Sequence, residues 1–297
     1  MDQLVNAIVL GSIYCLFALG LSLTWGTLNV LNLAHGAVFM FAGFTCYLFT
    51  QHLGWNLPIP VLVILAMAVG AVIELALDLL VFRPVQKRTV DAAQAELSML
   101  IASIGAASIP VVIAQKVTTD SQFTVTKHSD TGGVHHFLGA VVTDIDVAIV
   151  VVTIGLTVAL GFWVSRTRSG RALRALAIDP ETSGLMGISK GRLSALALSL
   201  SGASAGMAGV FLGVYLSNLS PESGQDLLLK AFAAVVLGGV GSVWGTMLGA
   251  FVLAGGETLV TATTSGTWTD AVSFAIIIVV LLFRPQGLLG QVKVDRA

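Results

Sequence analysis

Apolar residues along this chain come in long unbroken runs rather than in alternation; PVLVILAMAVGAVIELALDLLVF, 60–82, is representative. A strand in lipid would alternate apolar and polar positions. Continuous runs instead predict helices, which satisfy their own backbone hydrogen bonds where no water can. At about 20 apolar residues per crossing, spans fall at 4–28, 33–53, 59–82, 97–116, 145–165, 193–216 and 271–283. The last holds only 13 residues and is expected to begin earlier or to lean against its neighbours. Residues 227–262 break at GGVGSVWG, 238–245, which predicts two short passes or a re-entrant hairpin turning there. The expectation is an all-α, polytopic membrane fold of about 8 (7–9) transmembrane segments with a broken or re-entrant glycine-rich region. A single transmembrane domain is expected to fill 1–297.

Composition agrees. Of 297 residues 56% are hydrophobic and only 10% charged, where soluble domains hold about a quarter charged. The start, MDQL, has an acid and no basic stretch before its long apolar run, which predicts an uncleaved first span rather than a signal peptide. Cys15 and Cys46 each lie inside an apolar run and read as small packing residues. A net charge of −1 gives no field to attract nucleic acid.

The placement of charge is more informative. Arg83, Lys87 and Arg88 follow one span; Arg166, Arg168, Arg171, Arg174, Lys190 and Arg192 fill 166–192; Arg284, Lys293 and Arg296 close the chain. These are twelve of the 15 basic residues, so the positive-inside rule puts all three segments in the cytoplasm. Counting passes from them sets the N-terminus outside and the C-terminus inside. Both FRP sequences, in LLVFRP (79–84) and LLFRP (281–285), then mark helix exits into the cytoplasm, either as interface anchors or as traces of a duplication.

The segment 166–192 is too apolar for an idle loop. Arg171 and Arg174 are spaced to share one helical face, with Leu173, Leu176 and Ala177 opposite. Asp179, Pro180 and Glu181 predict a second helix start, with Asp179 as the N-cap. That helix would present Leu185 and Met186 and stop at Gly187. Such a helix–kink–helix module suits either a docking surface for a cytoplasmic partner or an interfacial helix on anionic lipid.

Polar residues within spans are costly and therefore candidates for function. Glu74 and Asp78 share a face of the third span; Asp78 lies near enough to its end to reach water or pair with Arg83. Glu74 is deeper and suits a protonated packing contact or a gating or path role. Asn29, Asn32 and His35 cluster between the first two spans, where a helix cap competes with a pathway role. Gly238, Gly239 and Gly241 suit either close helix packing or a break lining the path. Glu257 is expected to anchor a helix near the outer side. His128, His135 and His136 lie on a polar loop without thiols or regular ligand spacing, so a solvated loop is expected there rather than a metal site.

Several ordered motifs resemble ABC-importer permeases of the branched-chain amino acid type, which include urea and amide importers. TRSGRALRALAIDPETSGLMGI (167–188) looks like their cytoplasmic loop. NLAHG (32–36) is similar to their Asn-Phe-Ala-His-Gly motif, with Leu33 replacing the aromatic. KAFAAVVLGGVGSVWGTMLGAFVLAGGE (230–257) and LLFRPQGLLG (281–290) resemble their two C-terminal signatures. The likeness runs from about residue 5 to 290; Ser183-Gly184 stand where small alanines are expected, and 118–144 has no counterpart.

The resemblance implies a multi-pass permease of the bacterial inner membrane that pairs with a homologous second permease. It also implies two cytoplasmic ATPase subunits, which seat the coupling loop, and a periplasmic or extracellular solute-binding protein. ATP and Mg²⁺ would then act on those partners. No G-x-x-x-x-G-K-[ST] stretch occurs here, so energy must come from another chain or a gradient. The solute expected is a branched-chain or other aliphatic amino acid, with urea or a short amide as the alternative. A self-sufficient channel or secondary carrier belongs to a different class and predicts a dispensable 166–192 loop. An intramembrane enzyme lacks support, with no paired-aspartate, G-x-S-x-G or H-E-x-x-H motif.

Overall fold

The computed structural model describes residues 2–28, 31–89, 92–126, 133–137, 140–263, 269–284 and 286–289. Six of its helical stretches are long and apolar enough to cross a membrane. They are α1 (Asp2–Leu28), α3 (Ile59–Leu77) with its continuation into α4 (Arg83–Arg88), α5 (Ala92–Thr118), α6 (Asp144–Arg166), α9 (Lys190–Tyr215) and α11 (Val243–Thr263). Shorter helices complete the bundle: α2 (His35–Tyr47), α7 (Arg168–Ile178), α8 (Pro180–Leu185), α10 (Ser223–Gly238) and α12 (Thr269–Phe283). α12 begins before the apolar run that marked it in the sequence, as expected. The region 227–262 is a helix hairpin, α10 and α11, that turns between Gly239 and Ser242.

Helices α1 and α9 form the buried centre. Ile13, Leu16, Phe17 and Leu19 of α1 and Ala205, Ala208 and Val210 of α9 are inaccessible. Outward positions on α3, α5, α6 and α12, such as Ile64, Ile101, Val151 and Ile278, stay exposed, as an apolar ring facing hydrocarbon should.

Small residues set the closest approaches. A Cβ on Gly70 would sit 2.1 Å from the Gly202 carbonyl oxygen, one on Gly202 2.2 Å from that of Gly70, and one on Gly206 2.0 Å from that of Ala66. Helices α3 and α9 therefore touch backbone to backbone, which only glycine permits here.

At one end of the bundle a hairpin, β1 (Val134–Phe137) with β2 (Ala140–Thr143), pairs His135 with Val142 and His136 with Val141. Thr143 then caps α6 in a capping box with Asp146. The Val141 amide donates to the Asp2 carboxylate at 3.1 Å, so the start of α1 lies at this end. Segment 166–192 and the α10–α11 turn lie at the other, where Gly241 meets Gly26 near the end of α1.

Two helices start inside the bundle: α2, which a π-helical turn carries on from Tyr47 to His52, and α10. α2 opens beside Phe17, near the midpoint of α1, and α10 opens against α2. A Cβ on Gly36 would lie 2.3 Å from the Gly224 carbonyl oxygen, and one on Gly224 2.0 Å from that of Gly36. The contact is reciprocal and brings the two N-terminal ends together at mid-depth.

Candidate functional site

The NLAHG segment folds into a buried polar hub. The Ala34 amide donates to Asn32 Oδ1 at 3.0 Å, a local turn that an asparagine side chain readily makes. This fixes the side chain so that Nδ2 reaches both Glu74 oxygens, at 3.0 and 2.9 Å. His35, at the start of α2, sits 2.9 Å from Glu74 through Nδ1. Its Nε2 faces the Phe17 carbonyl at 3.2 Å, and its ring stacks on Phe17 with centroids 4.6 Å apart. Ser201 Oγ lies 3.3 Å from Nδ1 while donating to the Gly20 carbonyl. Gly20 must be glycine, because a Cβ would come within 2.9 Å of the His35 ring and 2.4 Å of Ser204 Oγ.

Hydrogen-bond accounting constrains the proton. A carbonyl only accepts, so Nε2 carries a hydrogen; one further proton lies between Nδ1 and the Glu74 carboxylate. On either atom it leaves the pair neutral overall, which is how two ionisable groups with no exposure persist in an apolar interior. The hub joins α1, α2, α3 and α9 in one contact set.

A second polar group continues from the hub toward the end that holds 166–192. A π-helical turn, Asp78–Phe82, follows α3 and gives the i→i+5 spacing that stacks Arg83 over Asp78. Arg83 reaches the Asp78 carboxylate at 2.7 Å and donates to the Gly191 carbonyl, also at 2.7 Å. Ser194 adds a longer contact to Asp78 at 3.4 Å. One guanidinium thus ties the end of α3 to the first turn of α9, at the close of segment 166–192. Between this group and the hub lies a small cleft lined by Thr24, Asn32, Asp78, Gln86, Met99 and Ser194, among others.

The module is two short helices at an angle. Thr167 caps α7 by accepting from the Gly170 amide. Leu173 and Leu176 are buried, while Arg171 and Arg174 are exposed, with Arg174 donating to the Ser165 carbonyl at 3.1 Å. Asp179 caps α8 through the Thr182 amide at 3.0 Å and also accepts from the Thr182 hydroxyl. Pro180 and Glu181 form the first turn of α8; their side chains lie outside the described part. Gly187, at φ +80°, ends the helix. Leu185 and Met186 are 88% and 79% exposed, and Ile178, which the sequence reading did not single out, is 85% exposed. Three apolar side chains of this module are thus left in the open, which suits either a partner or a lipid surface.

The glycine break is a packed turn. Gly239 and Gly241 have φ of +102° and +80°, values that favour glycine. A Cβ on Gly238 would lie 2.1 Å from the Gly245 carbonyl oxygen. The Leu288 and Leu289 amides donate to the Leu237 and Gly238 carbonyls, at 2.8 and 3.0 Å, so the two C-terminal motifs satisfy one helix end together.

Sequence reasoning missed a further cluster. Glu257 Oε2 accepts from the Tyr14 hydroxyl at 2.8 Å and from Lys230 at 3.0 Å, and its Oε1 accepts from Ser273 at 2.8 Å. Glu257 lies in the half of α11 away from the α10–α11 turn, on the side expected for it, and there it meets Tyr14 of α1. The available signal was Lys230 itself, a basic residue inside an apolar region that requires an acidic partner.

Asn29 and His128 lie outside the described residues. His135 pairs with Asp144 at 2.8 Å in the exposed hairpin, and no group of three or more metal-capable side chains occurs among the described residues. Cys15 and Cys46 are buried.

Comparison with known proteins adds ancestry to this geometry. The family profile described as branched-chain amino acid transport system / permease component matches residues 3–281. The high-affinity branched-chain amino acid transport system permease protein LivH of Escherichia coli K12 is 32% identical, the match covering 100% of this chain and 97% of that one. The corresponding BraD of Pseudomonas aeruginosa is 30% identical over the same shares, and a probable LivH of Methanocaldococcus jannaschii is 30% identical over 97% of this chain and 91% of its own. Among solved structures, PsaBC from Streptococcus pneumoniae, in complex with Fab, shares the fold at a TM-score of 0.50 and 12% identity, covering 96% of this chain and 91% of that one. The chain belongs to the branched-chain amino acid transport permease family.

Proposed function

We propose that this chain imports a branched-chain amino acid as one permease subunit of an ATP-driven transporter. A second permease completes the membrane core. A binding protein delivers solute outside, and two ATPase subunits carrying ATP and Mg²⁺ act at the end that holds 166–192. The basic residues clustered at that end favour a cytoplasmic side for it, with the N-terminus outside.

One observation carries the coupling role: Ile178, Leu185 and Met186 stand exposed around the Asp179-capped turn. An ATPase groove that buried this knob would move α7 and α8 as a unit. Arg83, bonded to Gly191 and Asp78, would pass the displacement to α3 and the His35–Glu74 hub. The hub then acts as the pivot on which α2 and α3 hold their places against α1 and α9.

The branched-chain amino acid transport systems of the full-length relatives support the solute class. The test is ATPase stimulation in the reconstituted complex by leucine-loaded against urea-loaded binding protein. Stimulation by leucine is expected; urea succeeding where leucine fails sinks the assignment.

A further inference from the structure

The outward side of α10 does not match a lipid-facing helix. Glu222, Gln225, Asp226 and Leu229 are exposed at the spacing of one helical face, and Lys230 beside them is partly exposed. Depth makes this unusual. α10 opens against Gly36, beside His35 and Phe17, and the Lys230 ammonium reaches the Tyr14 hydroxyl at 3.3 Å. Phe17 and Tyr14 both lie near the midpoint of α1, so the face sits at the middle of the membrane. Charged side chains at that depth face protein or water, not hydrocarbon. Neither Glu222 nor Asp226 has an ion-pair partner among the described residues. Lys230, anchored by Glu257, shows 23% of its side chain.

We infer that this face of α10 lines the water-filled path and meets the solute as a zwitterion. Asp226 and Lys230 are one turn apart and opposite in sign, the arrangement that offers a carboxylate to an ammonium group and an ammonium to a carboxylate. Gln225 adds a neutral donor and acceptor, and Leu229 an apolar contact for an aliphatic side chain. A neutral amide would use only part of this set. The inference rests on the importer reading and assigns it a surface.

The experiment uses the complete reconstituted transporter in a C15A/C46A background, with single cysteines at Q225C, D226C and L229C and controls V151C and I154C on the exposed face of α6. The probe is a charged, membrane-impermeant thiol reagent. The α10 positions are expected to react about tenfold faster than the controls, as solvated thiols do relative to thiols in lipid. Leucine-loaded binding protein with ATP is expected to slow labelling on α10 alone. D226N is expected to lower leucine uptake about tenfold, the effect of losing about 1.4 kcal/mol. Unreactive α10 positions in a complex that still takes up leucine with ATP would mean that the second permease covers this face, which overturns the path and leaves the importer reading intact. A starting complex without ATP-driven uptake overturns the importer reading itself.

Discussion

The two buried glutamates of this bundle, Glu74 and Glu257, solve the same problem differently. Glu74 is sealed: His35, Asn32 and backbone groups surround it, and neither it nor its histidine has any exposure. Glu257 is held by Tyr14, Ser273 and a lysine that remains partly open on the side of α10. A sealed, neutral pair can fix the relation of four helices without meeting solvent. A pair that opens on one side can exchange its partner for a solute. On the proposed reading the difference separates a pivot from a surface, and substitutions at each should separate them further.

The largest effect is expected at the sealed pair. E74A leaves His35 and Asn32 buried without their acceptor and should cost about 3–5 kcal/mol, read as lost thermal stability in detergent. At the open cluster, K230M should cost less, about 2 kcal/mol for a lost charged hydrogen bond, because water can reach the glutamate left behind. The double variant K230M/E257Q should recover part of that loss. If E74A proves no worse than K230M, the distinction between sealed and open pairs fails.

Glycine substitutions probe the seam that places Glu74. A Cβ at Gly206 meets the Ala66 carbonyl oxygen at 2.0 Å, while one at Gly105 of α5 meets nothing within 4 Å. G206A should therefore destabilise by about 1–3 kcal/mol through overpacking. G105A should be neutral or stabilise by up to about 1 kcal/mol through helix propensity. Equal melting shifts for the two would contradict the backbone contact between α3 and α9.

Much of this was legible in the sequence, but unevenly. Continuous apolar runs have only one structural solution in lipid, so the long spans followed directly, and Asp179 and Gly187 mark α8 through rules that involve only neighbouring residues. NLAHG stood out as a compact motif and Glu74 as a costly buried acid, but nothing local in the chain linked the two. The contacts that escaped are those assembled from distant segments. Tyr14, Lys230, Glu257 and Ser273 come from four helices, and the Gly287–Leu289 stretch folds back on the α10 end. Nothing local in the chain records such pairings. The mid-depth start of α10 was hidden for the same reason: its apolar run is ordinary, and only the reciprocal contact of Gly36 with Gly224 sets its level.

The smallest effect on stability is expected where the effect on transport is greatest. Ile178, Leu185 and Met186 bury little in this chain alone, so I178S/L185S/M186S should change its stability by no more than about 0.5 kcal/mol. In the assembled transporter the same variant should abolish ATP-driven uptake, because the exposed side chains are the contact that an ATPase groove would bury. Co-purification with the ATPase subunits and the melting temperature of the isolated chain are the paired measurements. Lost co-purification at an unchanged melting temperature places these residues in the partner interface. Retained co-purification with normal uptake returns α7 and α8 to the lipid surface, and the driving force would then have to enter the bundle elsewhere. The contrast with E74A is the sharpest form of the opening comparison: a residue that holds the fold fails in detergent, and a residue that transmits force fails only in the complex.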